Sequence, residues 1–205
     1  MMEGQARFVV VEGGDGSGKT TQVGRLADAL RARGHVVCTT FEPGATAAGA
    51  VLRDVLLHGR DPVSSVAEAL LMAADRAQHV AEVVAPALAR GEWVVSDRFL
   101  ASSLVYQGVV RGLGVEVIRG MNEAATAGVR PDLVVVLDVP ESQARARRDG
   151  TPDRLEAEEG TFHAQVAAAY RDLAPSEGWV LVDGTGAPDA VAERVVAVVD
   201  ARLAP

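Results

Sequence analysis

A glycine-rich segment between an apolar run and a helical pattern constrains this chain more than any other feature. Residues 8–11 are Phe-Val-Val-Val, and residues 12–21 read Glu-Gly-Gly-Asp-Gly-Ser-Gly-Lys-Thr-Thr. The pattern G-x-x-x-x-G-K-[ST] is satisfied by Gly13, Gly18, Lys19 and Thr20. Glycines allow several backbone N–H groups to point at phosphate oxygens, and a following helix N-terminus adds partial positive charge. The segment therefore predicts a phosphate-binding loop rather than a glycine-rich turn without a ligand.

The side chains of this loop indicate how it binds a nucleotide. We expect Lys19 to reach the β- and γ-phosphates of ATP, the co-substrate, and the Thr20 hydroxyl to bind Mg²⁺, the cofactor. Lys19 is the only lysine among the 20 basic residues. This excludes GTPases, which carry Asn-Lys-x-Asp, and ParA-type ATPases, which need a second loop lysine. The residues predicted to bind ATP are Gly13, Gly14, Asp15, Gly16, Ser17, Gly18, Lys19, Thr20 and Thr21.

Short apolar runs alternate with helix-length segments along the chain. The runs predict buried parallel strands at Phe8–Val11, Val36–Thr40, Trp93–Val95, Leu133–Val139 and Val180–Val182. Helices are predicted at Thr20–Arg33, Ser65–Arg90 (with a kink at Pro86), Thr161–Leu173 and Ala187–Leu203. The alternation predicts an α/β protein with a three-layer P-loop NTPase fold, in which helices flank a five-stranded parallel sheet. We expect residues 1–205 to form a single domain.

Composition limits the class of protein further. The 205 residues are 48 % hydrophobic and 23 % charged, with a net charge of −8. An acidic chain argues against a nucleic-acid coat, which needs a basic face. The single cysteine, Cys38, excludes an internal disulfide framework. No apolar run approaches the roughly 20 residues of a membrane span, and no signal peptide is recognisable. We therefore expect a cytoplasmic protein that binds neither nucleic acid nor membrane.

Three further groups of residues are candidates for the site. Asp97 and Arg98 end the third apolar strand, at the edge where parallel sheets bind ligands, so Asp97 is a candidate for Mg²⁺ and Arg98 for a phosphate. Ser103 and Gln107 lie one helical turn apart and suit a base or sugar. The polar segment Arg145–Glu159 has the composition of a mobile lid, placed at about 143–157. Its arginines would close over the transferring phosphoryl group and exclude water.

Several motifs in order resemble the thymidylate kinase family, P-loop enzymes that phosphorylate dTMP. The resemblance covers nearly the whole chain. The motifs are residues 12–22, Glu-Pro-Gly at 42–44, Leu-Leu-Met-Ala-Ala-Asp-Arg-Ala-Gln-His at 70–79, Asp-Arg-Phe at 97–99, Ser-Ser-Leu-Val-Tyr-Gln-Gly at 102–108, Pro-Asp-Leu-Val-Val-Val-Leu-Asp-Val at 131–139 and Asp-Arg-Leu-Glu at 153–156. The resemblance implies Mg²⁺-dependent transfer of the ATP γ-phosphoryl group to dTMP, giving dTDP and ADP, and a homodimer.

The resemblance also implies roles for matching residues. Asp15 would face the deoxyribose 3′-hydroxyl, Arg53 and Arg98 the acceptor phosphate, and Arg76 the edge of the thymine. Ser103 and Gln107 would contact the base, while Glu42 and Asp97 would lie near Mg²⁺ and the acceptor phosphate. The loop itself carries no arginine, which resembles the class whose catalytic arginine comes from the lid. The predicted catalytic residues are Lys19, Arg98, Arg148 and Arg154.

Two positions depart from the family pattern. Phe41 stands where the family usually has arginine, and Met72 stands where it usually has a phenylalanine that stacks on thymine. Loss of such stacking would weaken the binding of the base by roughly 1–3 kcal/mol, unless the Phe41 ring compensates for it. The alternatives are therefore a kinase for a modified pyrimidine monophosphate, another nucleoside monophosphate kinase, a deoxynucleoside kinase with Glu42 or Asp97 as base, and a non-catalytic nucleotide sensor.

Overall fold

A five-stranded, all-parallel sheet forms the centre of the fold, and this confirms the predicted fold class. The computed structural model describes residues 5–59, 61–148, 154, 158 and 160–203. The strands are β1 (Phe8–Glu12), β2 (Val37–Phe41), β3 (Trp93–Asp97), β4 (Leu133–Asp138) and β5 (Val180–Asp183). Their spatial order is β2-β3-β1-β4-β5. The first and last residues of each predicted strand lie within two residues of those observed. The agreement is close because buried parallel strands form nearly continuous apolar runs.

Helices connect successive strands, and three of them continue into wider π-helical turns. The helices are α1 (Lys19–Ala32), α2 (Ala47–Arg53), α3 (Ser65–His79), α4 (Ala85–Ala89), α5 (Leu100–Ser103), α6 (Val115–Thr126), α7 (Glu141–Ala146), α8 (Gly160–Glu177) and α9 (Pro188–Leu203). The π-helical turns follow α2, α3 and α5 at Asp54–His58, Val80–Val84 and Leu104–Val110.

The two faces of the sheet bury separate apolar clusters. Along β1, Val9 and Val11 pack in one cluster with α1 and α9, whereas Phe8 and Val10 pack in another with the Val80–Val84 turn and α4. This alternation is the period-2 geometry of a strand buried on both faces. The result is a three-layer arrangement in which loops at the carboxyl ends of β1, β2 and β3 adjoin one another.

Two predicted segments differ in detail from the structure. The predicted helix Ser65–Arg90 is present as α3, the π-helical turn Val80–Val84 and α4, which follow one another without a gap, and Pro86 lies in the first turn of α4. Proline has no N–H and crowds the preceding turn, which accounts for the wider π-helical turn before it. The segment Arg145–Glu159 was expected to be a mobile surface segment, and the structure adds that Arg145 and Ala146 belong to the last turn of α7. Of the lid predicted at about 143–157, residues 149–153 and 155–157 lie outside the described residues.

Candidate active site

A cavity of about 1060 Å³ lies at the carboxyl ends of β1, β2 and β3. Parallel registry places Val11 of β1 and Phe41 of β2 on either side of Asp97 in β3, so three strand ends meet there. All the predicted acceptor-binding residues line this cavity: Asp15, Glu42, Arg53, Met72, Arg76, Arg98, Ser103 and Gln107. Both predicted metal ligands, Thr20 and Asp97, line it too. Sheet topology thus brings together residues that are far apart in sequence.

The phosphate-binding loop wraps one end of this cavity. The cavity is lined by Asp15, Gly16, Gly18, Lys19, Thr20 and Thr21 of the loop, and the loop is closed by a hydrogen bond from the Ser17 N–H to the Gly14 carbonyl at 3.2 Å. Gly18 adopts a left-handed conformation (φ 93°) directly before α1, and no side chain caps the helix. The first N–H groups of α1 are therefore available to phosphate oxygens.

Lys19 is buried in this loop, and its Nζ donates a hydrogen bond to the Gly14 carbonyl at 2.9 Å. Burial and the neighbouring Arg98 lower its pKa, while Asp15, Asp97 and Glu12 act in the opposite direction. The ammonium group of Lys19 is therefore surrounded by a backbone carbonyl and nearby carboxylates instead of water. It is held ready to contact a phosphate chain laid over the loop.

Thr20 and Asp97 bring two oxygen ligands together beside the loop. The Thr20 hydroxyl donates a hydrogen bond to Asp97 Oδ2 at 2.6 Å. Hydroxyl and carboxylate oxygens suit Mg²⁺, which keeps several waters and is commonly held by one or two protein ligands together with substrate phosphates. Among the described residues, no cluster of three or more His, Cys, Asp or Glu could hold a metal. The pair therefore fits a phosphate-assisted Mg²⁺ site rather than a cage built only from protein ligands.

Arg98 projects into the cavity from a left-handed backbone conformation (φ 72°) directly after β3. It pairs with Asp15, donates a hydrogen bond to Ser102 Oγ at 2.8 Å and lies over the Tyr106 ring at 5.3 Å. Burial alone would raise the pKa of Asp15, but Arg98 and Lys19 outweigh burial and lower it. Asp15 is therefore ionised near neutral pH and keeps Arg98 oriented.

Glu12 is a residue that sequence reasoning missed. Its fully buried carboxylate accepts hydrogen bonds from the Phe99 and Ser102 N–H groups at 2.9 and 3.1 Å. It also accepts from the Ser102 hydroxyl at 2.6 Å and the Tyr170 hydroxyl at 2.8 Å. These bonds tie the start of α5 to the end of β1, which holds Arg98 in its strained position between them. The only signal in the sequence is a carboxylate at the end of an apolar strand.

Arg76 is almost completely buried at the other end of the cavity. Its guanidinium donates hydrogen bonds to Ser103 Oγ (3.2 Å), the Phe99 carbonyl (3.1 Å) and Asn122 Oδ1. Its Nη2 also lies 2.8 Å from Glu42 Oε2, although the two are not aligned as a hydrogen bond. Its Nε is buried and has no hydrogen-bond partner among the described residues, which makes it a candidate donor to a ligand.

Glu42 lines the cavity and is also held by a buried network of protein side chains. Its Oε1 lies 2.8 Å from His79 Nδ1, and His79 Nε2 lies 2.6 Å from the Thr40 hydroxyl. Burial, followed by the neighbouring Glu42, raises the pKa of Asp75, whose Oδ1 accepts a bond from the Gly44 N–H. This buried network fixes the Glu42-Pro43-Gly44 turn against α3.

The remaining acceptor candidates form the opposite wall. Arg53 donates to the Pro43 carbonyl at 2.7 Å, and Met72 packs against Leu56 and Leu57. Phe41 also lines the cavity, with 45 % of its surface exposed. The wall is thus apolar around Met72 and cationic at Arg53.

The two predicted lid arginines lie in different places. Arg148 lies against Gly16 of the phosphate-binding loop and pairs with Glu141. Arg154 instead contacts the acceptor side: its N–H donates to the Leu57 carbonyl at 3.1 Å, and its Nη2 donates to Glu68 Oε2 at 3.0 Å. Only Arg148 is therefore brought to the loop that carries Lys19.

Comparison with known proteins identifies this arrangement. The family model for thymidylate kinase matches residues 11–195. The chain belongs to the thymidylate kinase family. It is 48 % identical over 198 residues to a thymidylate kinase from Synechococcus sp. (strain JA-2-3B'a(2-13)), covering 96 % of this chain and 95 % of that protein. It is 45 % identical over 200 residues to the thymidylate kinase of Leifsonia xyli subsp. xyli (strain CTCB07), covering 96 % and 95 %.

A more distant relative gives the same result. The thymidylate kinase of Deinococcus radiodurans is 43 % identical over 202 residues, covering 97 % of this chain and 98 % of the relative. The family resemblance inferred from the sequence motifs is therefore confirmed, and a thymidylate kinase is an enzyme rather than a nucleotide sensor. No helix in the described part of the chain is long and apolar enough to cross a membrane.

Proposed function

We propose that this cavity transfers the γ-phosphoryl group of ATP to dTMP, giving ADP and dTDP, as its family membership implies. One observation carries the proposal: a single cavity joins the phosphate-binding loop to a separate group of arginines, Arg53, Arg76 and Arg98. A nucleotide hydrolase or sensor needs only the first part. A second cationic pocket facing the same loop suits an acceptor that carries its own phosphate.

The donor end would hold ATP through the N–H groups of the loop and through Lys19. Thr20 and Asp97 would hold Mg²⁺, which neutralises charge on the β- and γ-phosphates when bound. Arg148, packed on Gly16, is the lid arginine best positioned to approach these phosphates. It is now paired with Glu141, so we propose that bound phosphate takes over that pairing.

The acceptor end would bind dTMP by its phosphate and its base. Arg98 and Arg53 supply cationic donors for the phosphate, and Asp15 would accept a hydrogen bond from the sugar hydroxyl. Arg76 Nε is the donor that matches a carbonyl on the base edge. Because the attacking phosphate oxygen is already anionic near neutral pH, no strong general base is required. The protein therefore acts by positioning the two phosphates and neutralising charge as they approach.

A kinase for a modified pyrimidine monophosphate is the second candidate function. The observation that favours it is the half-buried Met72, packed on Leu57 in the cavity wall. A thioether on a flexible chain adapts to substituents more easily than a rigid aromatic ring does. Phe41 lies in the same cavity and is the candidate for restoring a ring contact. The two candidate functions use the same ATP site and differ only in the acceptor nucleotide.

We also propose that the protein is a homodimer. Apolar side chains are exposed on neighbouring helical segments: Val66 (48 %), Leu70 (52 %), Val109 (42 %) and Val117 (51 %). Exposed apolar groups that cluster on one face are typical of an interface. A second copy of the chain would bury them by two-fold symmetry. Location in the cytoplasm stays a prediction.

Release of ADP across a panel of acceptors tests the proposed function. The panel contains dTMP, dUMP, dCMP, AMP, 5-substituted pyrimidine monophosphates, thymidine and a blank without acceptor. We expect the highest kcat/KM with dTMP and loss of turnover when EDTA removes Mg²⁺. Faster turnover of a 5-substituted nucleotide would favour the second candidate function. Turnover of thymidine but not of dTMP, or no turnover of any acceptor, would contradict the proposal.

A further inference from the structure

A buried carboxylate lies directly behind the acceptor end of the cavity. Glu68 of α3 is 1 % exposed and does not itself line the cavity. Its Oε1 accepts a hydrogen bond from Gln107 Nε2 at 2.9 Å, and its Oε2 accepts one from Arg154 Nη2 at 3.0 Å. Arg111 adds two longer contacts, at 3.4 and 3.5 Å. None of the roles assigned above to the site residues explains why a buried glutamate is held by so many side chains.

The charge of Glu68 decides the orientation of the Gln107 amide. The carboxylate of Glu68 pairs with the guanidinium groups of Arg111 and Arg154, and a carboxylate paired in this way accepts hydrogen bonds and donates none. The glutamine amide has a donor end and an acceptor end, which are otherwise interchangeable. Because Glu68 accepts, the NH₂ end of Gln107 must face it. Gln107 lines the cavity, so its carbonyl oxygen is the end available to a ligand.

Arg76 provides the complementary group nearby. It is linked to the same helical stretch as Gln107 through its hydrogen bond to Ser103, and its unpaired Nε can only donate. Arg76 Nε, a buried donor in the cavity wall without a partner among the described residues, and the Gln107 carbonyl oxygen therefore form a fixed donor and a fixed acceptor. A base edge with a carbonyl next to a ring N–H, as in thymine and uracil, matches both. Cytosine presents an amino group next to an unprotonated ring nitrogen and mismatches both.

We propose that Glu68 is a positioning residue that sets the base selectivity of the acceptor site by fixing the Gln107 amide. The inference rests on the proposed function and specifies how that site separates pyrimidines. Glu68 makes no contact with substrate. It acts by preventing the Gln107 amide from turning its NH₂ group towards the ligand, the orientation that would pair with cytosine.

Glu68→Gln tests this inference through the ratio of kcat/KM values for dTMP, dUMP and dCMP. A glutamine at this position can donate or accept, so Gln107 is free to flip. We expect the preference for dTMP over dCMP to fall about ten-fold or more, because a site that leaves polar groups unpaired discriminates strongly. The preference for dTMP over dUMP should not change, since both bases present the same edge. Glu68→Asp keeps a carboxylate and should keep the wild-type preference against dCMP.

Glu82→Gln is the matched control. Glu82 accepts a hydrogen bond from Gln78 on the exposed face of the same helical stretch, so this variant alters a similar pair outside the cavity. It should leave all three kcat/KM values unchanged. If Glu68→Gln lowers turnover of all three nucleotides equally, or leaves the dTMP to dCMP ratio unchanged, the inference is wrong. Wild-type turnover of dTMP tests the proposed function separately.

A binding measurement on the wild-type protein keeps the inference testable should the Glu68→Gln variant not fold. N3-methyl-dTMP keeps both carbonyls and lacks the ring N–H that Gln107 is proposed to read. Calorimetry should give a Kd for this compound about ten-fold or more above that of dTMP. Equal affinity would overturn the proposed orientation of the amide, whatever the catalytic activity of the protein.

Discussion

Gly16 is the residue whose substitution tests the geometry of the phosphate-binding loop most sharply. It has a φ of 80°, and an added Cβ would overlap the carbonyl oxygen of Ala144 at the end of α7. The left-handed conformation alone costs a residue with a Cβ about 1–2 kcal/mol. A change of 1 kcal/mol shifts Tm by roughly 2–4 °C for a chain of this size, so Gly16→Ala should lower Tm by about 2–8 °C. A thermal melt measures this directly.

Gly120→Ala is the matched control for that melt. Gly120 lies inside α6, and an added Cβ there meets no atom of another described segment within 4 Å. Alanine is favoured over glycine in a helix by about 1 kcal/mol, so Tm should stay the same or rise. An unchanged Tm for Gly16→Ala would mean that α7 does not pack on the loop.

The candidate residues that the structure brings into one cavity are easiest to find in the sequence where a short motif or a strand end supplies them. Lys19 and Thr20 follow from the loop pattern, and Asp97 follows from its position at the end of β3. The role of Glu12 was missed because its partners Phe99 and Ser102 lie 87 and 90 residues away. The base contact of Arg76 stays a prediction, and the structure adds that its guanidinium donates hydrogen bonds to Ser103, Asn122 and the Phe99 carbonyl. Burial of an arginine depends on tertiary partners such as Asn122, which the local sequence does not reveal.

At the scale of elements, the strands were easier to predict than the helices. Burial on both faces makes each strand a continuous apolar run, and such a run is visible in the sequence. The helix α6 was missed because the residues it buries include the polar Asn122 and Thr126, which weaken the apolar pattern. The π-helical turn after His79 was only partly predicted from Pro86, because the proline indicates where the helix is perturbed and not which form the perturbation takes.

At the scale of the whole molecule, the exposed apolar residues on α3, the Leu104–Val110 turn and α6 predict association. Analytical ultracentrifugation should give twice the 21.4 kDa mass of the chain. Leu70→Glu would place a charge in the proposed interface and should yield the monomer. Val36→Glu changes an exposed valine just before β2 and should leave the dimer intact. A wild-type protein that sediments as a monomer at all concentrations would contradict the proposed dimer.

The central claim is that one cavity passes a phosphoryl group directly from ATP to dTMP. The most direct measurement follows ATP labelled in its γ-phosphate, with dTMP and Mg²⁺, and separates the products by chromatography. We predict that the label appears in dTDP, that it requires dTMP, and that Lys19→Ala abolishes the transfer. Label found only in free phosphate, or transfer that persists at the wild-type rate without Lys19, would contradict the account.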